Sequence, residues 1–465
     1  MAAKPKKRDD RGFTSEMAFM AHLRSPGTDA TEVSITQALA YAIQLHQAAQ
    51  LDAAEALYMQ ILDAVPEQPD ALHFLGVLQH QRGQSDAAIN LLRCACALIP
   101  NHPDCHINLG NVLAETGQYP EAASAYRRAL ALAPARADVF NNLGVVFRLL
   151  ARWDEAEASY LHAIELAPDT TSAYNNLGLL HAARGRIQQA IQCYDLSIAR
   201  TPGNPDSRRL LGIAYYTLGK TREAAEVFRQ WLALDPASPV ARHMYAACSG
   251  KNVPERAADD YVEQTFDRFA DSFDTQLQNN LAYCAPQQVV GALAQTLPAG
   301  FEPLDILDAG CGTGLCGPLL RPLARHLTGI DLSAGMLAKA TARQCYDTLL
   351  KAELGAFIAS QTARFDAIIS ADTLVYFGAL ETVCAAARKA LRPQGVFIFT
   401  VEQLPSGDVE TNYRLNPHGR YAHGKTYLET TLTAAGLEVT RITATDLRNE
   451  ADKPVAGWVV TAMAP

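Results

Sequence analysis

Small and apolar residues recur along the first half of the chain with a period of 34. Alanine returns at Ala54, Ala88, Ala122, Ala156, Ala190 and Ala224, and glycine at Gly76, Gly110, Gly144, Gly178 and Gly212. An aromatic keeps the same phase at Tyr58, Tyr126, Tyr160, Tyr194 and Phe228. Each period predicts two short helices; in the third they cover residues 104–115 and 119–132. The glycine and the alanine are small where the two helices cross closely, and the ring fills the space between neighbours. Pro66, Pro100, Pro134, Pro168, Pro202 and Pro236 close the second helix of each pair. Proline lacks the N–H a helix needs and disfavours helix at the residue before it. One such unit cannot bury its apolar face alone, so six in register predict a stacked solenoid over 35–236. A further helix at about 240–247 is expected to close the far end.

In period and residue type this array resembles the tetratricopeptide repeat. The first unit departs from the pattern, with Ala42 where glycine is expected, as suits a terminal cap. Asn108, Asn142 and Asn176 share one repeat position, just before Leu-Gly. The repeats of O-GlcNAc transferases look similar there, which implies that these amides clamp the backbone of an extended peptide. An amide both donates and accepts, as a peptide backbone does. Local helix-start chemistry is the competing reading. Asn141 and Asn175 read as helix-start or solvent residues.

After about residue 250 the periodicity stops and short continuous apolar runs take over. Residues 304–308 form a predicted strand that enters Ala309-Gly310-Cys311-Gly312-Thr313-Gly314, with helix expected from about Leu315. A strand, a glycine turn and a helix open a nucleotide-binding α/β unit, where glycines let a ligand press on bare backbone. Gly312, Gly314 and Gly317 also fit the dinucleotide fingerprint, a weak match taken alone. Asp308 argues against a pyrophosphate, which it would repel, and for a cationic ligand. The string from Leu307 to Gly314 resembles the first motif of class I S-adenosylmethionine methyltransferases. Their cofactor carries an ammonium and a sulfonium and no phosphate. Asp331 ends the second strand 21 residues after Gly310, placed to accept the ribose hydroxyls. The resemblance further implies that Leu332 and Met336 flank the adenine and that Glu353, followed by Leu354, contacts its amino group. A surface glutamate is the alternative reading of Glu353.

Weak strand pattern at 348–351 is followed by a clear fourth strand over 365–372 and a fifth over 396–402, the latter after the turn 391–395. Ala371 to Tyr376 should border the cleft, because ligands sit at the carboxyl ends of parallel strands. A helix over 426–435, stopped by Gly436, and strands at 438–443 and 455–463 would complete a seven-stranded sheet. Residues 416–423 read as a polar, aromatic loop, where specificity tends to reside. Arg420 and Tyr376 are accordingly expected to face the acceptor. Methyl transfer needs a base only when the nucleophile carries a proton; Asp372, His418 and His423 are the candidates by position. Phe266-Asp267 and Phe273-Asp274 repeat an aromatic–acid pair that resembles the lid of small class I methyltransferases. An amphipathic linker helix against the array is the equal alternative.

The expected organisation is a disordered tail over 1–32, an all-α tetratricopeptide superhelix over 33–250, linker or lid helices over 251–300, and an α/β Rossmann-like methyltransferase domain over 301–465. From about Tyr261 onward the chain is most similar to the predicted bacterial methyltransferases that carry tetratricopeptide repeats. A net charge of -9 signals no basic face for nucleic acid, and no apolar run approaches a membrane span. The ten cysteines lack zinc spacing, so no metal is expected; free thiols without a secretory signal suggest the cytoplasm. Cys94 and Cys96 read as small buried packing residues. Recruitment of a protein or peptide to a methylating domain is the favoured function. An inert adaptor and a small-molecule methyltransferase with repeats used for localisation are the alternatives.

Overall fold

A computed structural model of the chain describes residues 34–270, 273–274, 283–405, 412–450 and 453–465. It divides into two compact units, Met1–Leu180 and His181–Pro465.

In the first unit antiparallel helix pairs follow one another: α1 (Ile35–Gln47), α2 (Leu51–Ala64), α3 (Pro69–Gln81), α4 (Ser85–Leu98), α5 (Pro103–Glu115), α6 (Tyr119–Leu132), α7 (Ala137–Leu149) and α8 (Trp153–Leu166). Helix α9 (Thr171–Ala183) crosses the division. Ser34 opens α1 with a capping box: its hydroxyl accepts from the Gln37 N–H while the Gln37 side chain accepts from the Ser34 N–H. Each second helix stops two residues before its proline. The glycine ladder has a sharper cause than close helix crossing alone. A Cβ on Gly110 would lie 2.6 Å from Cε1 of Tyr126, and one on Gly144 the same distance from Tyr160. Glycine is required because the ring from the second helix of the same repeat occupies its side-chain space. Cys94 is exposed and only Cys96 is buried, which corrects the reading of both as core residues.

The second unit continues the pairs with α10 (Ile187–Arg200), α11 (Pro205–Thr217), α12 (Thr221–Leu234) and the closing helix α13 (Pro239–Ser249). Helices α14 (Asp259–Phe269) and α15 (Ala285–Thr296) lead to the sheet. Strands β1 (Leu304–Ala309), β2 (Ala324–Asp331), β3 (Thr348–Lys351), β4 (Phe365–Ser370) and β5 (Leu391–Gln403) lie parallel in the order β3-β2-β1-β4-β5. The helices between them are α16 (Gly317–Leu320), α17 (Ala334–Ala342), α18 (Leu354–Ala359) and α19 (Glu381–Ala390). The hairpin β6 (Tyr413–Leu415) and β7 (Tyr421–His423) precedes helix α20 (Lys425–Ala434). Strand β9 (Lys453–Met463) pairs antiparallel to β5, and β8 (Glu438–Glu450) antiparallel to β9.

The sheet is sandwiched between helices, and side chains alternate between its two faces. Leu307, Ile368, Phe397 and Phe399 pack into one core with α19 and α20. Ile306, Ala367, Ile369 and Ile398 pack into the other with α15. Both faces are buried, so these strands read as unbroken apolar runs.

Two expectations change. Strand β5 begins at Leu391, paired with Phe365, and shifts register before Ala367 pairs with Val396, so the expected turn is a bulged strand. The polar loop is the hairpin β6–β7, whose second strand pairs with β5 at Glu402 and Gln403, beyond the end of β4. Among the described residues the sheet therefore has nine strands, seven as expected plus this hairpin. No helix among the described residues is long and apolar enough to cross a membrane.

Candidate functional site

The β1–α16 turn holds Gly310, Gly312 and Gly314 at φ values of +78°, +54° and +83°, a region that disfavours side chains. A Cβ on Gly310 would lie 2.2 Å from the Thr373 hydroxyl, whereas one on Gly312 would meet nothing within 4 Å among the described residues. The turn is packed on one side and open over Gly312. The Asp331 carboxylate accepts from the Gly312 N–H and the Ser333 N–H, both at 2.9 Å. Burial raises its pKa and these N–H groups oppose the rise. Asp308 is buried beneath the turn, where the Tyr346 hydroxyl donates to its Oδ2 at 2.6 Å. Its Oδ1 has no partner among the described residues, and burial pushes its carboxyl up to about 7.

A cavity of about 410 Å³ opens over this turn, wholly inside the second unit. The structure brings Gly310, Cys311, Gly312, Asp331, Leu332, Glu353, Leu354, Ala371, Asp372, Tyr376, His418 and Arg420 to its wall. It does not bring four others there. Asp308 lies beneath the turn, Gly314 packs against Tyr346 and Ala340, Met336 is fully buried, and His423 is sealed within the fold. His423 faces the Gly378 carbonyl at 3.0 Å, and burial takes its pKa down to about 4. Glu353 is neither a surface residue nor a free acid: it caps α18, accepting from the Gly355 and Ala356 N–H groups.

The aromatic–acid pairs divide their work. Phe266, Phe269 and Phe273 line the cavity. Asp267 accepts from the Ser333 hydroxyl and the Gly335 N–H, and Asp274 from the Thr313 hydroxyl and Arg343, so the acids fasten this segment to the glycine turn and to the start of α17. The same helix also meets the repeats, through Arg268 to Asp206 at 2.8 Å and Tyr261 stacked on His243. The segment therefore contacts both the glycine turn and the repeats; Asp271 and Ser272 lie outside the described residues.

A buried ionic cluster forms the rest of the wall. Arg448 is 2% exposed and binds Asp372 at 2.9 Å, Glu450 at 2.7 Å and Glu402, itself 3% exposed. Arg420 joins Glu402 at 2.9 Å and also Glu450. Burial pushes the Glu402 carboxyl up, yet Arg420, His418 and Arg448 outweigh it and hold it at about 2. His418 Nε2 stands 3.3 Å from Glu402, its Nδ1 is buried with no partner among the described residues, and burial lowers its pKa. The ring is thus neutral near pH 7 and can carry its proton on Nε2, leaving Nδ1 as an acceptor. Asp372 takes a left-handed φ of +57° with its N–H donated to Thr400. Its carboxylate is committed to Arg448.

The turn presenting His418 and Arg420 is held by the repeats. His243 on α13 donates to the Gly419 carbonyl at 2.8 Å, and the Cys248 thiol approaches the Pro417 carbonyl at 3.6 Å. Sequence reasoning missed Arg448, Glu450, Glu402 and these α13 residues. Arg448 and Glu450 sit among the polar and charged residues of an edge strand, Glu402 lies near the end of a buried strand, and His243 and Cys248 lie on a repeat helix, so none stands in a motif.

In the first unit Asn108 bonds His73 at 2.8 Å, Asn142 bonds Asn111 at 3.3 Å and Asn176 bonds Asn141 at 2.9 Å. The amides link successive repeats and remain half-buried. Asn175 is buried rather than solvated.

Helical repeats followed by a doubly covered sheet in this strand order define a solenoid joined to a class I methyltransferase fold. The family described as "Cilia and flagella-associated protein 70 C-terminal domain" matches residues 29–276, and the chain belongs to this repeat family. The family described as "Methyltransferase domain" matches residues 306–395, so a methyltransferase domain follows the repeats. Human methyltransferase-like protein 27 is 39% identical over 106 residues, covering 22% of this chain and 43% of that protein. The malonyl-acyl-carrier-protein O-methyltransferase of Enterobacter lignolyticus is 36% identical over 95 residues, covering 20% and 38%. The chain thus spans less than half the length of either relative. A solved structure described as "Functional Characterization of Pseudomonas Aeruginosa pilF" is 22% identical with a TM-score of 0.39, covering 46% of this chain and 96% of that one.

Proposed function

We propose that the protein transfers a methyl group from S-adenosylmethionine to an acceptor in the second-unit cavity, and that the asparagine-bearing repeats recruit a protein or peptide partner. The observation that carries the donor assignment is the Asp331 carboxylate on the cavity wall, bonded to the Gly312 N–H beside the open face of the glycine turn. Its remaining lone pairs fit a ribose. The carboxyl of Asp308 beneath the turn favours a cationic donor through its charge rather than by contact. The residues present therefore fit the donor, with Asp331 on the ribose hydroxyls, Leu332 beside the adenine and Glu353 at its edge.

When bound, the donor supplies a methyl already activated on a sulfonium. The chain's task is alignment and exclusion of water. Phe266, Phe269 and Phe273 make the apolar cover. His418 Nδ1 takes the proton of the acceptor, with Glu402 holding the ring and favouring the imidazolium that forms. Arg448 holds and orients the Asp372 carboxylate at the cleft rim.

Calorimetry with S-adenosylmethionine tests the donor assignment. Labelled-methyl transfer into lysate, separated into protein and small-molecule fractions, tests turnover. Donor binding with no label in either fraction would instead support an adaptor that only senses the donor.

A further inference from the structure

The repeats do more than stand ahead of the catalytic domain. Arg209, Ile213 and Tyr216 of α11, with Val240 and Met244 beyond them, form part of the cavity wall. Arg209 occupies the place in its repeat that Asn141 and Asn175 hold in theirs, three consecutive positions at the period of 34. There the array exchanges an amide for a cation.

That cation is under-compensated. Arg209 Nε makes no hydrogen bond among the described residues, and its ion partner Asp206 is 3.8 Å away. The same Asp206 oxygen accepts from Arg268 at 2.8 Å, and Asp206 is half exposed. Two guanidinium groups share one carboxylate, which leaves one positive charge at this wall. Burial and the neighbouring Arg268 both push the Arg209 pKa down, the sign of a cation short of a counter-ion. Every other arginine on the cavity wall has closer acids: Arg256 has Asp259 at 2.6 Å, and Arg420 and Arg448 share Asp372, Glu402 and Glu450. That cluster of two cations and three anions repels an anion, so a negative group is steered to Arg209 and away from His418. Ile213, Val240 and Phe269 add apolar surface to the same cavity wall.

Building on the methyl-transfer reading above, we infer that the acceptor is a carboxylic acid with an apolar body, anchored by its carboxylate on Arg209 of the repeat array. Its proton-bearing nucleophile then faces His418. One residual positive charge matches a monoanion better than a phosphate dianion. The array is thereby part of the acceptor site and sets its specificity.

The test uses the full chain saturated with S-adenosylhomocysteine and three probes: 3-phenylpropanoate, 3-phenylpropanamide and phenyl phosphate, each followed by calorimetry. The acid is expected to bind roughly tenfold or more tighter than the amide, as a charge-assisted contact gives. Arg209→Gln should erase that preference and Arg209→Lys should restore part of it, with S-adenosylhomocysteine affinity unchanged in both. Equal binding of acid and amide, no binding of the acid, or a preference for phenyl phosphate overturns the assignment. The acid–amide comparison on the parent protein stands even if a variant fails to fold. If the parent does not bind S-adenosylhomocysteine, the methyl-transfer reading fails separately, and the acid–amide preference still reports on Arg209.

Discussion

Asp308 is the residue on which donor recognition and stability meet. Its pKa of about 7 exceeds the ordinary 3.8, so the folded state holds a proton there that the unfolded chain releases. The sign follows: this carboxyl's contribution is fully present at low pH and is lost as pH rises from about 4 to 7, by at most about 1.4 kcal/mol per unit. Denaturant unfolding of the free protein should show that slope, and Asp308→Asn should remove it. Affinity for a cationic donor should run the other way, weakening up to roughly tenfold for each unit below pH 7. Arg448 makes a second residue-scale case. Its truncation to Ala leaves Glu402 and Asp372 without their buried partner and should cost about 3–5 kcal/mol, read as a large fall in the unfolding midpoint. The two residues differ in how visible they are in sequence. Asp308 and Asp331 declare themselves by fixed spacing to a glycine turn. Arg448 lies 76 positions from Asp372 on a strand where Glu438, Arg441 and Asp446 are exposed, and only the register of β8 on β9 turns it inward.

At the scale of the element, the repeats were legible because one geometric conflict recurs. Gly212→Ala would set a Cβ 2.3 Å from Cζ of Phe228 and should cost about 1–3 kcal/mol through overpacking. Gly117→Ala meets nothing within 4 Å, and its φ of +78° alone should cost about 1 kcal/mol. Thermal unfolding of the two variants separates packing from backbone strain. The hairpin β6–β7 was not legible, since strands of three residues are too short to show alternation. The segment bearing Phe266 and Phe273 was half legible: its aromatics and acids were recognisable, but which neighbours they meet depends on the fold. Asp267→Asn weakens the tie to Ser333 and Gly335. It should speed donor release several-fold in stopped-flow measurements while changing the unfolding midpoint little.

For the whole molecule, the strand order β3-β2-β1-β4-β5 followed by the antiparallel pair was inferable from motif order. The union of the last repeats with the sheet was not, because His243, Cys248 and Tyr261 resemble ordinary packing residues when read in a line. Their contacts with the turn 416–420 join α13 and α14 to the sheet-bearing part of the second unit. A fragment beginning at Thr171 should therefore bind S-adenosylhomocysteine as the full chain does, whereas one beginning at Lys251 should bind it weakly and unfold at lower temperature. Calorimetry and circular dichroism on both fragments would check this.

The glycine turn and its two acids are proposed to hold a positively charged methyl donor, and the decisive measurement is titration of S-adenosylmethionine into the full chain and into Asp331→Ala, with NADH as the control ligand. Saturable donor binding is expected, at least tenfold weaker in the variant, with none for NADH. Binding of NADH in place of the donor, or donor affinity untouched by loss of Asp331, would overturn the assignment.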